Sequence, residues 1–433
     1  MERGNGFSAF DPAWSGKSTI WRKPIGRRWL VLLTVLVAGL TGWVPRTPTT
    51  QGLPPGSYVP DELLVKLKPG ADPAALARAF GFRLHHQTLL GIWVVKVPPQ
   101  AIDAVLATLS RHPQVEYVEP NGIASIALDP NDPYDNTTCY NSSKSGCVSQ
   151  WAWGKIQAYA AWDLTTGSSA IRIAVVDTGI DNSHPDLPAV VAQRDFVNND
   201  NNAEDDNGHG THVAGTIGAL TNNGIGVAGM NWQVSLLAAK VLDASGSGTY
   251  AQVADGIVWA ADNGAKVINL SLGGSIGSLT LQNAVDYAWN KGAVLACAAG
   301  NNGSSAKTYP AAYTNCIAVA ATDENDNKAS FSNYGAKWVD VAAPGVRILS
   351  TMPDTPVYLT TQYGYRTTYD ALNGTSMATP HVAGLAGLVW ASGRCTTNTC
   401  VRQRIETTAD PIPGTGRYWY WGRINAYRAV SAP

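Results

Sequence analysis

From about residue 150 onward, uninterrupted apolar runs rich in β-branched residues alternate with stretches of helical periodicity. This alternation constrains the fold more than any other feature of the chain. The runs are 171–176, 234–241, 266–272, 293–298 and 316–320; the helical patterns are 210–220, 250–263, 278–291 and 376–391. A strand with one wet face would alternate apolar and polar residues. A strand that does not alternate is buried on both faces, so helices must cover the sheet above and below. The expected fold is α/β: a doubly wound, mostly parallel sheet with helices on both faces. In such sheets ligands bind outside the carboxyl ends of the strands. The 433 residues are 45% apolar and 15% charged, which supplies a large core. A net charge of −1 without a basic stripe argues against a nucleic-acid partner.

A smaller unit precedes this region. Strand patterns at 62–67, 92–97 and 115–118 and helical patterns at 73–80 and 101–110 give a β-α-β-α-β order, a two-layer α+β domain. Residues 46–57 read as a Pro/Thr/Gly linker, and 129–134 as the turn-rich seam before the large unit. At the N-terminus, Lys23, Arg27 and Arg28 precede an apolar run over 29–44. That run is short against the roughly 20 apolar residues of a membrane span, so residues 1–45 read as a signal peptide. The alternative is an uncleaved anchor. Six cysteines in an exported chain suggest disulfides. Spacing favours Cys139 with Cys147 and Cys395 with Cys400, leaving Cys297 and Cys316 on two runs that could be neighbouring strands. Fifteen connectivities are formally open.

Three segments carry the chemistry. The run 171–176 ends in Asp177-Thr178-Gly179. By itself, an acid after a strand is usually a turn or cap residue. Asn207-Gly208-His209-Gly210-Thr211-His212 places a histidine between glycines at a helix start. A zinc reading is disfavoured, because His209 and His212 stand three apart with no acid between them. Asn373-Gly374-Thr375-Ser376-Met377-Ala378-Thr379-Pro380 opens a helix. Pro380 is expected within its first turn, where proline is tolerated. Free N–H groups there favour developing negative charge, though the bland reading of Ser376 is an N-cap. Together the segments supply what an activated serine needs: an imidazole to take its proton, and a carboxylate to fix the imidazole's tautomer.

With their flanking residues, Val176 to Gly179, His209 to Gly215 and Gly374 to Pro380, these segments resemble the three signatures of the subtilases, the thermitase-like branch in particular. The likeness runs from about Asn131 to the C-terminus. It implies a subtilisin-like fold and a secreted serine endopeptidase with Asp177, His209 and Ser376 as its triad. Asn301, in Ala298-Ala299-Gly300-Asn301-Asn302-Gly303, corresponds to the asparagine that binds the oxyanion. Gly246, Ser247 and Gly248, with Ser271, Leu272 and Gly273, correspond to the two edges between which the family holds an extended peptide. Gly300 marks the specificity pocket, whose matching segments contain no acid, so a broad preference for large apolar residues is expected. A catalytically dead scaffold and a sequence-specific processing enzyme are the rival readings. Intact catalytic positions and the lack of acidic clusters count against them.

The resemblance also implies structural calcium, one or two ions. Asp132, Asp186 and Asn223, with carbonyls near Leu220, Ile225 and Val227, match one family site. The oxygen-rich run of Asp195, Asn198, Asp200, Asn202 and Glu204 matches another, although Asn198 and Glu204 differ from the family in side chain. Residues 58–126 resemble the inhibitory prodomain, an intramolecular partner released by cleavage between about Asn121 and Asp129. Residues 127–433 then form the peptidase domain, expected to act on polypeptides as a monomer without a lasting membrane anchor. The stretch 353–370 is longer than its counterpart in the family.

Overall fold

The structure is a computed structural model that describes residues 58–88, 90–122, 130–135 and 138–431. The expected signal peptide, the linker and the 123–129 part of the expected cleavage region lie outside these residues.

The N-terminal unit is a four-stranded antiparallel sheet in the order Arg83–Gln87, Ile92–Lys96, Tyr58–Leu67, Val115–Gly122. The helices Pro73–Phe80 and Ile102–Leu109 bury Leu76, Leu106 and Leu109 with Leu63, Val65 and Val95 of the sheet. The first helix starts where expected because Asp72 caps Ala74 N at 2.9 Å and proline takes the first helical position. The expected β-α-β-α-β order is corrected to β-α-β-β-α-β. The additional strand, Arg83–Gln87, is an edge strand of mostly exposed polar residues, so it carries no apolar signature.

The large unit contains an eight-stranded sheet. Its order is Gly422–Arg423, Val341–Pro344, Cys316–Thr322, Val294–Ala298, Val267–Leu270, Gly167–Asp177, Gln233–Lys240, Ala192–Asp195, and every neighbouring pair is parallel. Side chains leave a strand to alternate faces, and here both faces are buried. Ile173 and Val175 join one core, Ala174 and Val176 the other. The helices His209–Gly218 and Thr375–Ala391 cover the first face; Tyr250–Asp262 and Leu279–Asn290 cover the second. The chain adds strands to one side of Gly167–Asp177 and then to its other side. Asp177 therefore ends a strand at the topological switch point, where a crevice opens.

Cys139–Cys147 and Cys395–Cys400 pair as spacing favoured, and the two remaining cysteines form Cys297–Cys316. This last bridge joins adjacent strands. The expectation for Pro380 is corrected. The helix begins at Thr375, so Pro380 sits inside it, beyond the first turn. Lacking an N–H, it leaves the Ser376 carbonyl without its helical donor. Ser271 Oγ takes that place, donating to the Ser376 carbonyl at 2.8 Å.

Candidate active site

Asp177 is fully buried at the end of its strand. Its Oδ1 accepts from Thr178 N at 2.8 Å and faces His209 Nδ1 at 2.7 Å. His209 is the first residue of its helix, and Gly208 before it has φ 109°, a conformation that favours glycine. A Cβ at Gly210 would collide with the Gly179 carbonyl, so the glycine allows the helix start to dock on the strand end. Burial pulls the His209 pKa down, but the charge and hydrogen bond of Asp177, with the charge of Asp205, outweigh it and hold it above the ordinary value.

Ser376 is the second residue of its helix, so its N–H is among those without a partner within the helix. Its Oγ donates to the Ser271 carbonyl at 3.0 Å. His209 and Ser376 line one cleft of about 580 Å³. The expected hydrogen-bonded line is thus closed between carboxylate and imidazole, while the hydroxyl is parked on Ser271. Asn301 Oδ1 accepts from Thr375 N at 2.8 Å and Thr375 Oγ1 at 2.9 Å. This fixes the amide plane, and Asn301 and Ser376 together line an adjoining pocket of about 360 Å³. Gly246, Ser247, Gly248, Ser271, Leu272 and Gly273 all line the larger cleft. Gly300 lines the smaller one, where a Cβ would come within 2.7 Å of Asn333 Nδ2 and Thr308 Oγ1. No carboxylate lines that smaller pocket.

The arrangement is that of a serine hydrolase, and the comparisons agree with it. The subtilase family profile matches residues 168–422, and the fervidolysin N-terminal prodomain matches residues 46–121. The chain belongs to the subtilase family. It is 54% identical to thermitase of Thermoactinomyces vulgaris over 70% of this chain and 99% of that protein. It is 50% identical to a thermophilic serine proteinase of Bacillus sp. (strain AK1), over 76% of each chain. A solved protease from Pseudoalteromonas arctica PAMC 21717 superposes with a TM-score of 0.62 at 32% identity, covering 70% of this chain and 99% of that one. The protein is a thermitase-like subtilase, a serine endopeptidase with a prodomain.

Sequence reasoning missed several residues of this subtilase's site. Asp205 is buried and gathers the surroundings of His209. Its Oδ1 accepts from Thr178 Oγ1, Asn207 N and Gly208 N, and its Oδ2 from Thr211 N and Thr211 Oγ1, all within 3.0 Å. An acid just ahead of a helix start is a legible signal. Lys240 is also buried, and donates to the carbonyls of Thr178 at 2.7 Å and Leu242 at 3.0 Å and to Asp206 at 2.6 Å. Nothing in its apolar run announces that role. His212 is structural: its Nε2 meets the Ile348 and Asp370 carbonyls, and burial drops its pKa to about 3.

The two expected calcium sites differ in how well their residues fit an ion. Asp132 and Asp186 are both buried, and both bond to the 220–227 loop. Asp132 accepts from Asn222 N at 2.7 Å and Asn223 N at 3.2 Å; Asp186 accepts from Asn223 Nδ2 at 2.8 Å and Val227 N at 2.9 Å. Leu220 and Ile225 lie on the same loop, whose Leu220 N bonds the Asp186 carbonyl at 2.9 Å. Burial, with a further push from the Asp132 charge, raises the Asp186 pKa to about 7. Two buried carboxylates, an amide and loop carbonyls, with no cationic side chain paired to either acid among the described residues, suit a hard divalent cation. The second set does not converge. Asp195 spends its oxygens on Val197 N, Asn198 N and Asn198 Nδ2, and Asp200 accepts from Asn202 N. Burial, with the charges of Asp181 and Asp205, raises the Glu204 pKa. Among the described residues no cluster of three or more His, Cys, Asp or Glu side chains is placed to hold a metal ion.

Proposed function

We propose that Asp177, His209 and Ser376 are the catalytic triad and Asn301 the oxyanion donor of an autoprocessed, exported endopeptidase. One observation carries this reading: a buried carboxylate 2.7 Å from an imidazole that opens onto the same cleft as a serine at a helix N-terminus. In the reaction, Ser376 Oγ leaves the Ser271 carbonyl and attacks the peptide carbonyl carbon while His209 Nε2 takes its proton. The oxyanion forms against Asn301 Nδ2 and the Ser376 N–H, donors already fixed before reaction. The C–N bond breaks as His209 returns the proton to the leaving amine. Water, deprotonated by the same nitrogen, then splits the acyl ester and restores the serine. Asp177 keeps Nδ1 protonated throughout.

The substrate backbone lies between residues 246–248 and 271–273, with the side chain of the cleaved residue in the Gly300 pocket. Strand edges bind backbone irrespective of side chain, which supports broad specificity. The organisation that follows is a signal peptide over 1–45, a linker over 46–57, an inhibitory prodomain over 58–126 and a monomeric peptidase over 127–433. Cleavage falls between about Asn121 and Asp129. Among the described residues no helix is long and apolar enough to cross a membrane. Asp132, Asp186 and Asn223 would hold one calcium ion, which, by binding the folded state alone, would tie the mature N-terminal segment to the 220–227 loop. Ser376→Ala is expected to give an unprocessed precursor without proteolysis, and wild-type protein to be labelled by a fluorophosphonate at Ser376. Normal maturation of Ser376→Ala would refute autoprocessing, and labelling elsewhere would refute the triad.

A further inference from the structure

Two features of the chain have no part in the catalytic scheme: the long stretch 353–370 and the Cys139–Cys147 loop. The structure packs them together at the cleft. The strands Ile348–Thr351 and Tyr369–Leu372 pair antiparallel and form the stem of the long stretch. Beyond the stem it folds into the helix Tyr358–Tyr363. Tyr358 N donates to the Asp206 carbonyl at 3.1 Å, and Leu359 N to the Asn207 carbonyl at 2.9 Å. The helix is thereby bonded to the backbone just ahead of His209. Tyr358, Leu359 and Tyr363 line the 580 Å³ cleft that His209 and Ser376 share.

This wall is braced on its far side. Asp354 N donates to Asp181 Oδ2 at 3.0 Å, and Met352 N to the Thr368 carbonyl at 2.7 Å. The buried Asp370 accepts from Arg366 N at 2.8 Å and from Ser143 N at 3.1 Å. Ser143 sits in the hairpin closed by the Cys139–Cys147 disulfide. Lys144 of that hairpin lies over the Tyr365 ring at 5.7 Å, and Arg366 over the Tyr140 ring at 5.8 Å. Bonds at both ends and a crosslinked support make the segment a fixed surface, not a flap.

We propose that the helix Tyr358–Tyr363 is a specificity wall that selects a large apolar side chain on the substrate residue immediately before the cleaved one. The inference rests on the triad reading given above, and on strand geometry. The Gly300 pocket and the larger cleft share Leu272, Gly273 and Ser376. Successive side chains of an extended peptide point to opposite sides. With the cleaved residue in the Gly300 pocket, the residue before it turns toward His209. There Leu242, Tyr358 and Leu359 line the cleft with His209. The slot they line is apolar and aromatic, and a glycine or alanine would leave it unfilled.

The test uses peptide anilides of the form Ala-Ala-X-Phe with X as Gly, Ala, Leu or Phe, and rates normalised to fluorophosphonate-titrated sites. For the mature wild type, kcat/KM with X as Leu or Phe is expected to exceed that with X as Gly by at least about tenfold, the discrimination of a well-filled apolar slot. In Tyr358→Ser and Leu359→Ala that ratio is expected to drop to about threefold or less, with the preference at the cleaved residue unchanged. Tyr363 is 55% exposed, so Tyr363→Ser leaves the fold intact and lowers the ratio by itself. A wild type that cleaves all four substrates equally overturns the wall and leaves the triad standing, as does a ratio unmoved by all three substitutions. A wild type that cleaves none and takes no label overturns the triad, and the wall with it.

Discussion

Replacing Asp177 by asparagine tests the electrostatic core of the mechanism. In the proposed mechanism His209 acquires a positive charge as it takes the serine proton, and Asp177 Oδ1 lies 2.7 Å from its Nδ1. With charge centres about 4 Å apart and an effective dielectric near 20, that attraction is worth about 4 kcal/mol. Losing it slows the reaction roughly 10³-fold at 1.4 kcal/mol per tenfold. An asparagine amide can also select the wrong tautomer, which takes the loss toward about 10⁴-fold. The pH profile should move as well, and its sign follows from the structure. Only neutral His209 accepts a proton, so the acid limb of kcat/KM reports its pKa. Asp177 contributes both its charge and a hydrogen bond to the upward shift, against burial. In Asp177→Asn burial acts against Asp205 alone, the pKa drops, and the acid limb moves to lower pH. The loss of rate is therefore smaller at about pH 5 than at about pH 8. The assay is kcat/KM on a peptide anilide across that range. An unrelated protease site placed within residues 123–129 allows maturation without the chain's own activity. An acid limb that stays or moves up, or a loss below tenfold at about pH 8, would refute the argument.

Ser271→Ala removes the donor that replaces the helical N–H missing at Pro380. An unsatisfied carbonyl costs about 1–3 kcal/mol, enough to let the Ser376 turn shift. We expect kcat to drop about tenfold with KM within about threefold, and Ser271→Thr to restore it; a larger change in KM would assign Ser271 to substrate binding alone. For calcium, an ion at one hundred times its Kd adds about 2.7 kcal/mol, or roughly 5–10 °C in Tm at about 2–4 °C per kcal/mol. In mature enzyme blocked at Ser376 by fluorophosphonate, chelation should lower Tm by that amount. In Asp186→Asn it should have little effect. Equal sensitivity of wild type and variant to chelation would move the ion elsewhere.

The apolar runs and three short motifs already contain most of the peptidase. Continuous β-branched runs alternating with helical patterns indicate strands buried on both faces, so the parallel sheet follows from local pattern. For the disulfides the sequence offered a preference among open connectivities, and short loops and adjacent strands bring the preferred cysteines together. Local pattern failed where structure is made by partners. The polar edge strand Arg83–Gln87 exists only because Ile92–Lys96 offers it hydrogen bonds. Val341–Pro344 and the edge strand Gly422–Arg423 are too short to announce themselves.

At the site, the sequence by itself determined the residue types: an acid closing a buried strand, a histidine between glycines and a serine opening a helix. These are local, because each depends on the dihedrals and exposed groups of its own turn. Only the tertiary structure decided that Asp205 and Lys240 hold those turns in place, and that Pro380 hands the Ser376 carbonyl to Ser271. It alone brought Asp132, Asp186 and Asn223 to one loop while the oxygens of Asp195 and Asp200 bond within their own turn, and brought the helix Tyr358–Tyr363 against the cleft. The reason is physical: hydrogen bonds and buried charges between residues tens or hundreds of positions apart depend on distances that chain order does not encode.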